Sequence, residues 1–156
     1  MVTISRLLGW ALPAALAFGL AAPALADGRI FVPVPDLSSI EGKDAERLLD
    51  QLILAVVVGS NCSGYELADA EWSLLIDSAD VLAHGQLGLS IGEYDDQVFG
   101  PAFDALDAPG TCEKVGPKIG VLLDTLVGMG GSLEPHPDQD AALAAWNAQQ
   151  DIWAEL

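Results

Sequence analysis

A chain of 156 residues with 23 acidic side chains and only six Lys and Arg carries a formal charge of −17, a field that repels nucleic acid and anionic lipid head groups. With 51% hydrophobic residues it is too apolar to stay disordered, and it is long enough to bury a core. Two cysteines and two histidines leave few of the soft ligands that a structural zinc site needs.

Residues 1–26 read as a secretory signal peptide: Arg6, an apolar stretch from Leu7, and the small-residue pattern Ala24-Leu25-Ala26 ahead of Asp27. Pro13 and the Ala-x-Ala ending favour cleavage after Ala26 over retention as a membrane anchor. Cleavage leaves 130 residues, one ordinary domain, with five basic side chains against 23 acidic and a charge of −18. Export together with two cysteines predicts a disulfide between Cys62 and Cys112.

Residues 27–37 hold two prolines and no helical period, so they read as an extended arm that packs Ile30, Phe31 and Val32 onto the domain. Ser38 and Glu41 fit a capping box at the start of a helix over about 40–58. In that helix Leu48, Leu49, Leu52, Ile53, Val56 and Val57 share one face, and Leu54, Ala55 and Val58 extend it round the cylinder. A helix apolar on nearly every side must be covered on nearly every side, which makes it the centre of the fold. Gly59 is expected to end it in the left-handed conformation.

Asp69 is the expected N-cap of a second helix over about 70–84, with Trp72, Leu75, Ile76, Ala79, Leu82 and Ala83 inward and Glu71, Asp77 and Asp80 on a solvated opposite side. Ser90 and Glu93 form a second capping box before a third helix with Ile91, Tyr94, Val98 and Ala102 on one face. Gly100-Pro101 and Gly116-Pro117 are expected to kink the third and fourth helices, because proline withholds a donor and crowds the preceding turn. Thr111 is the expected cap of the fourth, whose face is Val115, Ile119, Leu122, Leu123, Leu126 and Val127 and whose end is Gly128 to Gly131. A last helix over about 138–155 carries Trp146 and Trp153 seven apart, with Leu143 and Ile152 near them. This stripe is expected to pack on the first and fourth helices; otherwise Trp146, Trp153 and Leu143 are the candidate partner surface.

The spacing of reactive residues is poor in chemistry. Asp77 with Asp80, Asp104 with Asp107, and adjacent Asp95 and Asp96 are carboxylate pairs that ordinarily mark solvated helix faces. His84, placed in the last turn of the second helix, and His136, between two prolines, have no second ligand at zinc spacing. No nucleophile elbow or phosphate loop is present.

The expectation is therefore an all-α, single compact domain of about five helices around a central apolar helix (about 40–58), with one disulfide. The arrangement is a cleaved signal peptide (1–26), an arm (27–37) and a helical domain (38–156). Its expected role is periplasmic or secreted and non-catalytic: binding an unknown protein or small molecule, with no catalytic residue, cofactor or metal, no nucleic acid, and no membrane after cleavage. The alternatives are a small hydrolase using a carboxylate pair and an acidic cation-binding protein.

Overall fold

The computed structural model describes residues 29–156, so the signal-peptide reading of 1–26 lies outside the described residues. At its centre is α1 (Gly42–Asn61), which buries Leu49, Leu52, Ile53 and the run Ala55 to Gly59. α2 (Asp69–Asp80, continued by a wide π-type turn, Val81–Gln86), α3 (Ile91–Tyr94, a π-type segment Asp95–Phe99, then Gly100–Leu106) and α4 (Thr111–Val115, a 3₁₀ turn Gly116–Lys118, then Ile119–Gly128) all pack on α1. A fifth helix, α5 (Gln139–Trp153), closes the chain. The protein is all-α, with no strands among the described residues and one disulfide.

Both Gly-Pro pairs mark a change of helical pitch, in opposite senses. In α3 the Gly100 N–H reaches back five residues to the Asp95 carbonyl, opening the turn that precedes Pro101. In α4 the chain tightens to 3₁₀ geometry at Gly116–Lys118. The Ser90–Glu93 box forms as expected, with the Glu93 carboxylate accepting from both the Ser90 N–H and its hydroxyl.

Four other helix ends differ from the sequence expectation. Ser38 does not cap α1: its N–H is drawn to the Asp36 carboxylate in a turn, and the N-cap is Glu41 without a side-chain bond. Asp69 lies inside α2, one residue past the N-cap, and Glu71 accepts the Ala68 N–H instead. Thr111 does not cap α4; left-handed Gly110 does, and the Thr111 hydroxyl donates to the Ala105 carbonyl at the end of α3. Gly59 does not end α1, which runs on to Asn61. It is a contact glycine: a Cβ there would stand 2.5 Å from Leu67 Cγ, so the absence of a side chain lets the α1–α2 loop lie flat on the helix. Gly116 plays the same part for Tyr65, whose ring atoms would be 2.4 Å from a Cβ.

The disulfide fixes this packing. Cys62, one residue past α1, bonds Cys112 in the first turn of α4, with Cα atoms 5.7 Å apart and a sequence separation of 50. Tyr65 and Leu67, which rest on the two contact glycines, follow directly in the tethered loop.

Closing a loop of this length removes about 4 kcal/mol of denatured-state entropy in the chain-entropy model. The Cys62→Ala/Cys112→Ala protein is expected to lose stability on that order in denaturant titration; an unchanged midpoint would show that noncovalent packing alone fixes α4 against the loop.

Candidate functional site

On α2 the residues Ser73, Asp77, Asp80 and His84 recur at steps of four, three and four, which is one stripe along the helix. The sequence expectation that Asp77 and Asp80 face solvent is wrong. Asp77 is only 1% exposed, Ser73 and His84 are buried, and Asp80 is largely covered. The other side of α2 already presents Leu75, Ala79 and Leu82 to the core around α1, so its polar stripe is left to be covered from outside. The arm, α3 and α5 cover it. The remaining pairs behave as expected for solvated faces: Asp95, Asp96, Asp104 and Asp107 are exposed.

The arm is clamped with backbone pairing supplied by a side chain. The Gln139 amide oxygen accepts the Phe31 N–H at 2.8 Å and its nitrogen donates to the Phe31 carbonyl at 2.9 Å. The Ser132 and His136 N–H groups donate to the Pro33 and Phe31 carbonyls. This brings Arg29 against the stripe, where its guanidinium forms an ion pair with Asp77. The guanidinium carbon also lies 4.9 Å from the ring centre of Phe31, 4.9 Å from that of Trp146 and 5.9 Å from that of Trp72. A cation over a ring face gains about 0.5–1 kcal/mol at an exposed site and about 2 kcal/mol when desolvated, and the Arg29 side chain, 29% exposed, lies between the two.

The aromatic stripe of α5 packs on this layer and not on α1 and α4 as expected. Trp153 is 6% exposed and sits 5.2 Å from His84 and 5.6 Å from Trp146, which in turn meets Phe31. The physical reason is that α2, α3 and α4 already occupy the surroundings of α1. Phe31 and Trp153 therefore belong to a small outer cluster, separate from the main core. Leu143 and Ile152 remain 38% and 62% exposed. Ile152 precedes Trp153 by one residue, which turns it about 100° away from the buried side.

At the far end of the stripe His84 Nδ1 lies 2.6 Å from the Leu89 carbonyl, and because a carbonyl only accepts, Nδ1 is the donor of that bond. Tyr94 meets His84 edge to face, and its buried hydroxyl, beside Asp80, makes no hydrogen bond of normal geometry among the described residues.

Burial drives the Asp77 carboxyl up to about 7 against the pull of Arg29, with Asp80 adding to the rise. Burial likewise lifts Asp80 to about 6, opposed by Tyr94 and Arg29. The Tyr94 hydroxyl is pushed upward by burial and by Asp80.

Between the arm and α5 a cleft of about 530 Å³ opens onto this layer. Its walls are mainly Phe31, Val32, Val34, Val81, Ala142 and Trp146, and Asp77 lies in its floor. Of the residues singled out from sequence, Asp77, His136 and Trp146 line the cleft, whereas Trp153 and Leu143 do not. Sequence reasoning missed Arg29; it had Phe31 packing the arm onto the domain and Asp77 in a carboxylate pair, but on a solvated face. The signal it could have used is the helical spacing of Ser73, Asp77, Asp80 and His84, together with the one basic residue of the arm. Among the described residues no three His, Cys, Asp or Glu side chains gather as a metal-holding group. No family model, curated protein or solved structure matches the chain.

A carboxyl whose pKa is higher folded than unfolded takes up a proton on folding between the two values. Asp77 and Asp80 thus favour the folded state most below their ordinary 3.8, and that contribution is lost as pH rises through about 6 and about 7. The melting temperature is expected to be higher at pH 5 than at pH 8, with the difference reduced in Asp80→Asn; a rise from pH 5 to pH 8 would contradict the burial argument. Trp153→Ala is expected to cost about 3 kcal/mol or more by leaving a cavity against His84. Leu143→Ala is expected to stay within about 0.5 kcal/mol, as exposed substitutions do. Chemical denaturation of the two variants measures both.

Proposed function

We propose that the protein is an exported, non-catalytic domain that acts by binding, and that its ligand site is the cleft between the arm and α5. One observation carries this reading: a cleft of about 530 Å³, walled mainly by apolar side chains and two aromatic rings, is lined by two carboxylates, the buried Asp77 and the exposed Asp138. Sites for small molecules have that size and that mixture, a largely apolar wall with few polar groups to orient the ligand. Export is supported by the signal-like residues 1–26 and by the disulfide, which persists in oxidising compartments. No helix among the described residues is long and apolar enough to cross a membrane.

The carboxylate-pair hydrolase draws on Asp77 and Asp80, both with raised pKa values. It has less support, because Asp80 does not line the cleft and Asp77 is held by Arg29. The cation-binding alternative rests on overall charge alone. A protein partner would use the outer side of α5, where Leu143 and Ile152 are exposed.

The cleft reading is tested by thermal shift against a panel of small amphipathic compounds, with Ala142→Trp as the blocked protein. A ligand of this cleft stabilises the native state by mass action. It is expected to raise the melting temperature of the parent and not of Ala142→Trp. Equal shifts in the two proteins would move the site elsewhere.

A further inference from the structure

The layer around Arg29 has the composition of a receptor for a planar cation. Three ring faces, Phe31, Trp72 and Trp146, stand 4.9 to 5.9 Å from the guanidinium carbon, and the Asp77 carboxylate completes the enclosure. A guanidinium suits such a site better than an ammonium, because its flat face stacks on rings while its edge donates in a fork to a carboxylate. In this fold the occupant is the chain's own arginine. One residue separates it from Phe31, and Phe31 is held independently by the two Gln139 hydrogen bonds. The arm can therefore stay clamped when the arginine side chain leaves. Phe31, Trp146 and Asp77 line both the enclosure and the adjoining cleft, so a small molecule in the cleft has access to the carboxylate and two of the rings. The long-range field acts in the same direction, since a chain with 23 acidic and six basic side chains concentrates small cations around itself.

We propose that Phe31, Trp72, Trp146 and Asp77 form a guanidinium site for which Arg29 is the resident occupant, and that a small alkylguanidinium entering through the cleft takes its place. The inference rests on the reading of the cleft as the ligand site and adds the chemical class of the ligand.

Ethylguanidinium, with N-ethylurea as its neutral counterpart, is the probe. Binding is followed by tryptophan fluorescence and melting temperature in the parent, Arg29→Ala and Arg29→Ala/Asp77→Asn proteins. Removing the competing side chain is expected to tighten ethylguanidinium binding by about ten-fold or more and to restore part of the melting temperature lost in Arg29→Ala. N-ethylurea should do neither. Replacing Asp77 by Asn in the Arg29→Ala background should weaken binding at least ten-fold, the range for losing a charged hydrogen-bond partner. Equal responses to the cation and the urea, or binding indifferent to Asp77→Asn, would overturn the proposal.

If Arg29→Ala does not fold, the parent is titrated with ethylguanidinium. A saturable fluorescence change weakened about ten-fold by Trp146→Leu supports the site, and a linear, unsaturable one overturns it. Ala142→Trp separates the two readings. Panel compounds blocked by it while ethylguanidinium fails to bind leave the cleft standing without the guanidinium site. Ethylguanidinium binding unaffected by it leaves the guanidinium site standing without the cleft as its entrance.

Discussion

The last turns of α1 are apolar on nearly all sides, and covering them is the constraint from which the rest of the architecture follows. Leu52, Ile53 and the run from Ala55 to Val58 are all buried, and each large side chain among them gains about 2 kcal/mol by leaving water. Three helices are needed to surround such a cylinder, and α2, α3 and α4 do so. The close approach of the connecting chain depends on residues without side chains. Leu67 lies on Gly59 and Tyr65 on Gly116, and the disulfide holds the loop that carries both.

Once α1 is enclosed, α5 has no place in the main core. Its tryptophans are covered instead by a second, smaller assembly built on the outer side of α2. That side is polar, and the side chains brought to it are of kinds that tolerate such company: tryptophan, tyrosine and histidine, which pair apolar faces with polar edges, and an arginine that neutralises the buried aspartate. The Arg29–Asp77 pair is thus enclosed by aromatic surface that α5 and the arm jointly supply. A buried ion pair of this kind gives little net stability over an apolar alternative, because desolvating both charges offsets most of their attraction. The arm, and with it the near wall of the cleft, is held by the Gln139 hydrogen bonds to Phe31, and the pair sets only what lies among the rings beside it.

The same arrangement links the cleft to the charge of the molecule. Nearly all the carboxylates are scattered over the surface, whereas Asp77 is withdrawn from water and meets its one cation among rings. A ligand in the cleft would encounter a carboxylate whose protonation is governed by burial and whose partner is tethered by a single flexible side chain. The pair and its rings lie outside the main core, where change is least disruptive to folding.

The amino-acid sequence by itself determined the class, the number of helices, the central position of α1 and the cysteine pairing. Each of these follows from strong local signals: a period of 3.6 residues, the Ser90 capping box, two Gly-Pro pairs and a single possible disulfide. Helix ends were less legible: the Thr111 hydroxyl is taken by the Ala105 carbonyl, the Ser38 N–H turns to Asp36, and Glu71 rather than Asp69 serves the start of α2. The solvated reading of Asp77 and Asp80 failed for a different reason. A helix pattern identifies which residues share a face but not what covers that face, and here the cover comes from α3 and from the arm and α5, the last two at opposite ends of the described chain. The guanidinium enclosure joins Arg29, Asp77 and Trp146, so only tertiary structure could assemble it.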